Sequence, residues 1–223
     1  IIAILSRYDD LIEVNSKRIK LLEQIAENLY KEWFVRFRFP GHKEAEFENG
    51  LPKEWRIKRL SDYGKIETGK TPSMERAENY GDKYLFIKTP DMHDNLFVLE
   101  TEEKLSEIGH STQPKKLLPP NSIMVSCIGT GGVVAINADY GHTNQQINSI
   151  IVDNPNYLEW LFFTCKGLKT TIEMFGATGS TMTNCSKGKF EKLKIIEPTE
   201  ALKIAFHNVV NPLLLQIKQL QYT

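Results

Sequence analysis

The first 34 residues set apolar positions at a fixed rhythm. Leu5, Tyr8, Ile12, Asn15, Ile19, Leu22, Ala26, Leu29 and Trp33 follow one another at alternating steps of three and four. That is an unbroken heptad seam over four repeats, and it predicts a long helix with one face set aside for a partner helix. Neither Gly nor Pro interrupts it. Phe39-Pro40-Gly41 is the predicted stop, because Pro disfavours helix in the residue before it and Gly tolerates the exit. At about 1.5 Å per residue such a helix spans roughly 50 Å. Leu11, Leu21 and Ile25 widen the stripe, which implies packing against more than one surface. Asn15 stands inside the seam, where a polar residue costs stability but can fix register and partner number; the plainer alternative is a partly exposed Asn near a frayed end.

The pattern then changes. Residues 42–60 read as a charged linker leading into Trp55-Arg56-Ile57-Lys58-Arg59-Leu60, an alternating strand candidate. Strands are predicted at Tyr84 to Thr89, Ile123 to Ile128, Gly132 to Ile136 and Ile147 to Val152, separated by the turn clusters Leu118-Pro119-Pro120-Asn121 and Gly129-Thr130-Gly131-Gly132. A helix follows, with Asn156 as N-cap, Glu159 as its capping partner, and Leu158, Leu161, Phe162, Cys165, Leu168 and Ile172 as its apolar face. After a Gly-broken loop, Gly176 to Thr181, a last strand is predicted at Phe190 to Ile196. Residues 200–222 return to helical spacing through Leu202, Phe206, Val209, Leu213, Gln216 and Leu220, with Pro212 predicting a kink or break. The division expected is a helix at 1–39, a strand-rich domain at 40–199 and a second helix at 200–223. The fold class is α+β, and the two long coiled-coil-like helices, entering and leaving one domain, can pair antiparallel.

Composition adds limits. With 41% apolar residues the chain has material for a core, and no run approaches the roughly 20 apolar residues of a membrane span. Ile1-Ile2-Ala3-Ile4-Leu5 is too short, and lacks the preceding basic segment, to read as a signal peptide. The first residue is not Met, which is the expectation for a fragment or a trimmed chain. Cys127, Cys165 and Cys185 are odd in number, widely spaced and form no CxxC, so reduced buried thiols are expected rather than disulfides or a zinc site. Formal net charge is zero. The distribution is uneven: residues 63–160 carry 8 basic against 13 acidic side chains, and residues 161–223 carry 8 against 4. The excess gathers at Lys166, Lys169, Lys187, Lys189, Lys192 and Lys194. Such a stretch is either a phosphate footprint or a solvated face.

Two motifs invite an enzymatic reading. Gly64-Lys65-Ile66-Glu67-Thr68-Gly69-Lys70-Thr71 fits the phosphate-binding pattern GxxxxGK[ST] at every fixed position, and a small nucleotide hydrolase using Lys70 and Thr71 is the alternative it implies. The context argues against it. Leu60-Ser61-Asp62-Tyr63 is a poor buried strand, Pro72 and Ser73 follow where a helix should open, and Glu67 would set a negative charge beside the phosphates. Pro90-Asp91 with Glu102-Glu103-Lys104 fits a loose nuclease pattern in which carboxylates hold magnesium, but the pattern is short and common. His93 lacks a second His at ligand spacing, and no GxSxG appears. The residues imply no catalytic group, no metal and no cofactor.

The segments taken in order resemble the specificity subunit of Type I restriction–modification systems, across essentially the whole chain. Residues 4–37 look like that family's spacer helix and Leu51-Pro52-Lys53-Glu54-Trp55 like the start of a target-recognition domain. Gly69-Lys70-Thr71-Pro72-Ser73 looks like its G-x-T-P-S element, and Phe86-Ile87-Lys88-Thr89-Pro90-Asp91-Met92 like the following strand and loop. Leu118 to Ile123, Ile128 to Gly132, and Asn144-Gln145-Gln146-Ile147-Asn148-Ser149 match the next three elements in order. Gly176 to Thr181 and Phe190 to Ile195 resemble the last loop and strand. The resemblance implies a cytoplasmic, non-catalytic subunit that reads one half of a split target in double-stranded DNA. It implies methyltransferase and restriction subunits as partners, and leaves open a homodimer through the helices. One recognition domain with a spacer on either side implies a half subunit or the C-terminal half of a full one. DNA readers need donors for phosphates and polar tips for base edges. Lys70, Thr71, Lys88, Thr89, Gln145, Gln146, Thr178, Ser180, Thr181 and Lys187 are the candidates in loops or at strand ends.

Overall fold

The computed structural model describes residues 2–175 and 183–222, with side chains from residue 6 onward. Two compact units divide it, Ile1–Arg56 with Glu197–Thr223, and Ile57–Ile196.

The first unit is mainly helical. Its opening helix, Ile2–Tyr30, passes into one π-helical turn, Lys31–Val35, in which Arg36 N–H reaches back to the Lys31 carbonyl at 2.8 Å. Phe37 then takes a φ of +56°, so the chain leaves the helix there, before the expected Phe39-Pro40-Gly41 stop. Consecutive Trp33 and Phe34 are both buried. Along the seam Asn15, Ala26 and Trp33 are buried and Ile19, Leu22 and Leu29 half-buried, whereas Tyr8 and Ile12 are 62% and 59% exposed. Of the Leu5 side chain the structure describes nothing.

The closing helix, Glu200–Gln221, is capped by the Thr199 hydroxyl, which accepts from Leu202 N–H at 3.3 Å. It runs without a break through Pro212. Its buried stripe is Leu202, Phe206, Val210, Leu214 and Ile217, not the expected Val209, Leu213, Gln216 and Leu220. The reason is the phase set by Phe206, which is fully buried with ring centroids 5.0 Å from Phe34, 5.6 Å from Trp33 and 6.2 Å from Tyr30. From that anchor the helix packs along a ridge of four-residue steps, the commonest geometry for helices in globular proteins. The start of this helix meets the end of the first, and the two pack side by side, which makes them antiparallel.

Residues between them are more ordered than a linker. Phe47–Glu48 and Leu51–Pro52 form a hairpin around Asn49 and Gly50, both with positive φ. This is the Asn-Gly pair that a tight hairpin turn requires. Trp55 closes the aromatic cluster, with ring centroids 5.4 Å from Phe37 and 5.5 Å from Phe39.

The second unit is built on a five-stranded sheet in the order Gly64–Thr68, Ile147–Val152, Ile123–Ser126, Val134–Asn137, Phe97–Val98. All neighbours are antiparallel except the last pair. Ile147–Val152, mostly β-branched and buried over most of its length, is a strand as predicted, and it stands second in the sheet. A second sheet orders Gly141–Thr143, Tyr84–Ile87, Lys104–Leu105 and Tyr80–Gly81. Leu85, Ile87, Met92, Val98, Leu118, Met124, Ala135 and Ile147 form one core cluster. The helix Leu158–Gly167 packs against the first sheet and is buried nearly all round, so its apolar face is wider than the one read from spacing. Its entry also differs: Asn154, not Asn156, supplies the cap, its side chain accepting from Asn156 N–H at 3.0 Å over the turn Pro155–Tyr157. The strand predicted at Phe190 to Ile196 is split. Lys187–Glu191 is a short helix that buries Phe190, and only Lys194–Glu197 is strand, paired with Arg56–Arg59.

Candidate nucleic-acid interface

The phosphate-loop pattern is resolved by the strand it occupies. Gly64–Thr68 pairs along its whole length with Ile147–Val152, so its backbone serves a sheet and cannot curl around a phosphate. No helix follows; residues 69–73 are extended loop. Glu67 is buried and held by Lys65 at 3.1 Å and by Lys116. Burial pushes its carboxyl up, but the two ammonium groups more than offset that and hold it below the usual range. The nuclease pattern dissolves similarly. Asp91 accepts from Lys88 N–H at 2.8 Å and Glu102 N–H at 3.2 Å, closing a loop rather than presenting oxygens to a metal.

The same strand delivers a different site. Thr68, Ile147, Ser126 and Val134 lie at one end of the central sheet, and the loops leaving that end are stitched together. Gly69 N–H donates to Ile147 carbonyl at 3.2 Å and Lys70 N–H to Thr143 carbonyl at 2.9 Å. This approach is open only to glycine at 69, because a Cβ there would lie 2.2 Å from the carbonyl oxygens of Thr143 and Asn144. Lys70 and Thr71 are thereby laid beside the turn at residues 144–146. The Thr71 hydroxyl donates to Gln145 Oε1 at 2.6 Å. Asn144 N–H is tied to Ile87 carbonyl at 3.1 Å, and Cys127 N–H to Gln146 carbonyl at 2.7 Å. Beyond Cys127, Ile128–Gly129 pairs with Thr183–Asn184, which brings Thr183 and Asn184 to the same end.

Of the sequence candidates, Lys70, Thr71, Gln145 and Gln146 therefore stand together, with Lys70 and Gln145 exposed. Lys187 opens the short helix after Asn184 and lies 3.7 Å from Glu191. Lys88 is held by Glu103 at 2.6 Å, and Thr89 is buried at the start of the short helix Thr89–Met92. Thr178, Ser180 and Thr181 lie outside the described residues. Among the basic stretch, Lys166 and Lys189 sit over the Phe163 and Phe175 rings, at 5.8 and 5.3 Å, and Lys169 faces Glu173 at 4.0 Å.

Three contributors escaped the sequence reading. Asn144 accepts from Gln146 N–H at 3.1 Å and donates to Gln146 Oε1 at 3.2 Å; an Asn two residues before the bonded amide is the usual mark of a side-chain-closed turn, and it was available. Asn148 and Thr68 are the others, and nothing in their residue type announces a link across the sheet. The thiols of Cys127 and Cys185 are buried and hydrogen-bond each other. That bond and burial raise Cys127, while the bond from Cys127 and the charge of Lys189 lower Cys185 against its own burial. Cys165 is pushed up to about 12 by burial. Among the described residues no helix is long and apolar enough to cross a membrane.

Lys70, Thr71, Gln145 and Gln146 are thus polar side chains gathered on the loops at one end of a sheet. The sequence profile of the Type I restriction modification DNA specificity domain matches residues 52–203, and the chain belongs to that family. It is 32% identical to the Type I restriction enzyme HindI specificity subunit of Haemophilus influenzae, over 94% of this chain and 59% of that protein. It is 25% identical to the MjaIX specificity subunit of Methanocaldococcus jannaschii, over 96% of this chain and 51% of that one. The crystal structure of a Type I restriction–modification system S subunit from M. genitalium superposes with a TM-score of 0.67 at 12% identity, over 99% of this chain and 54% of that chain, a likeness of fold. The chain spans about half the length of the curated relatives it matches. The family is named for DNA specificity, and the pairing of Gly64–Thr68 within the sheet leaves the nucleotide-hydrolase alternative without support.

Proposed function

We propose that the unit Ile57–Ile196 reads one half of a bipartite DNA target, and that residues 1–39 and 200–223 act as spacer helices. The observation that carries this is the convergence of Lys70, Thr71, Gln145 and Gln146 on one end of the central sheet. Lysine supplies phosphate contacts, and the hydroxyl and amide tips supply base-edge contacts. Lys187, at the start of the neighbouring short helix, joins as a phosphate contact. Lys88, with its charge engaged by Glu103, and buried Thr89 drop out of the reading. Methylation and cleavage belong to methyltransferase and restriction subunits that dock on the chain in the cytoplasm. A second recognition domain, either in another copy paired through the helices or in a longer chain of which this is part, supplies the other half-site reader. The apolar residues exposed on the opening helix, Tyr8, Leu11, Ile12 and Val14 among them, support a helix-mediated contact.

The test is co-expression with the cognate methyltransferase subunit in a host free of adenine methylation, followed by sequencing of modified bases. A split motif is expected, with Gln145→Ala and Gln146→Ala each relaxing it at one position. A tight complex that methylates without sequence preference would sink the reading.

A further inference from the structure

The hydrogen bonds around Asn144 determine which way the Gln146 amide points. A free glutamine presents either its oxygen or its amino group, because the two ends are near-isosteric. Gln146 is not free. Its own backbone N–H can only donate, and it donates to Asn144 Oδ1 at 3.1 Å. That bond fixes the Asn144 amide, so its amino group is the end turned toward the Gln146 side chain, at 3.2 Å. An amino group facing an amino group would leave two donors opposed, so the Gln146 atom there is Oε1. The backbone on both sides is anchored by the Asn144 and Gln146 bonds to Ile87 and Cys127. The atom at the other end is then Nε2, on a half-buried side chain; it lies beside Gly129, 3.7 Å from where a Cβ would stand, so the glycine leaves that flank clear.

We infer that Asn144 is a positioning residue that holds Gln146 with its amino group outward, so that Gln146 reads an acceptor on a base edge. In the major groove the fuller match is a keto base, guanine through O6 and N7 or thymine through O4; adenine offers Nε2 only N7 and leaves its exocyclic amino group without an outward acceptor. The inference rests on the proposed interface and gives Gln146 a different partner from the adenine that a freely rotating glutamine favours.

Two substitutions reverse the polarity by separate routes. Asn144→Asp keeps an oxygen for the Gln146 N–H, so the turn is retained, but turns a second oxygen toward the side chain; the amide flips and Oε1 faces outward. Gln146→Glu takes the Asn144 amino group on one carboxylate oxygen and presents the other. The experiment is motif sequencing of methylated DNA from the chain in complex with its methyltransferase partner. At one motif position both variants are expected to shift preference from a keto to an amino base by about fivefold or more, while Gln146→Ala relaxes that position. The added charge lowers total methylation in both, so base identity is the readout. Relaxation by Gln146→Ala, with Asn144→Asp and Gln146→Glu keeping the parent base, overturns the inference and spares the interface. A motif unaltered by Gln146→Ala overturns the interface itself.

Discussion

Asn148 joins two strands of the central sheet to Cys185: its amino group donates to the Cys185 carbonyl at 3.1 Å while its oxygen accepts from the Thr68 hydroxyl at 2.5 Å. The residue is 2% exposed, so its own amide cannot turn to bulk water instead. Asn148→Leu keeps the branched outline of the side chain and removes the bonds to both partners. Each buried polar group left without a partner costs about 1–3 kcal/mol, so a loss of roughly 2–4 kcal/mol is expected in urea denaturation. Asn148→Asp is expected to fall further, because a carboxylate would face the Cys185 carbonyl.

Phe206 plays the matching part in the helical unit. It is fully buried against Tyr30, Trp33 and Phe34. Phe206→Ala opens a cavity the surrounding rings cannot close, at about 3–5 kcal/mol. Val209→Ala, on a side chain 49% exposed, is expected to cost under about 0.5 kcal/mol. Thermal melts of the two variants separate the observed stripe from the heptad one, which assigns Val209 the buried place.

These two residues mark what was legible. The helices were readable because an apolar stripe on a helix must be covered; its phase was not, because a three–four alternation and a four-step ridge share their first positions, and only the Phe206 contact decides between them. Ile147–Val152 was readable because a β-branched run between turns has few other fates. The hairpin at Asn49-Gly50 was overlooked among charged neighbours although its turn pair was in plain view. Phe190 failed as a strand residue because one aromatic fits a helix or a strand equally well. At the proposed interface, Gln145 and Gln146 stood out as polar residues between two strands. Asn144, Asn148 and Thr68 did not, since their work is done by bonds whose partners lie from two to 80 positions away.

A buried histidine gives the second unit a pH signature. His142 is fully buried, its Nε2 3.0 Å from His110 Nδ1, with Tyr84 stacked on the His110 ring at 4.6 Å. Burial, helped by the neighbouring His110, lowers its pKa to about 4. The unfolded chain binds this proton near pH 6.5 and the folded one does not, so stability rises with pH between about 4 and 6.5 and is lost as pH falls through that window. Between pH 7 and pH 5 the loss is about 2 kcal/mol. His142→Phe is expected to flatten the profile over that interval, as measured by urea midpoints. An unchanged slope would assign the proton uptake elsewhere.

Lys70 separates the two readings of its motif. It is exposed at the loop end, with its backbone N–H engaged by Thr143 rather than free for a phosphate. In the assembled complex, Lys70→Ala is expected to weaken DNA binding by a similar factor on every sequence and to lower the slope of log K against log salt by about 1, since one phosphate contact is lost. The methylated motif should stay the same, in contrast to Gln145→Ala and Gln146→Ala. Titration with ATP and magnesium should give no heat in either form, because the backbone that would cradle the phosphates is spent on the sheet. ATP binding abolished by Lys70→Ala would return the motif to nucleotide chemistry.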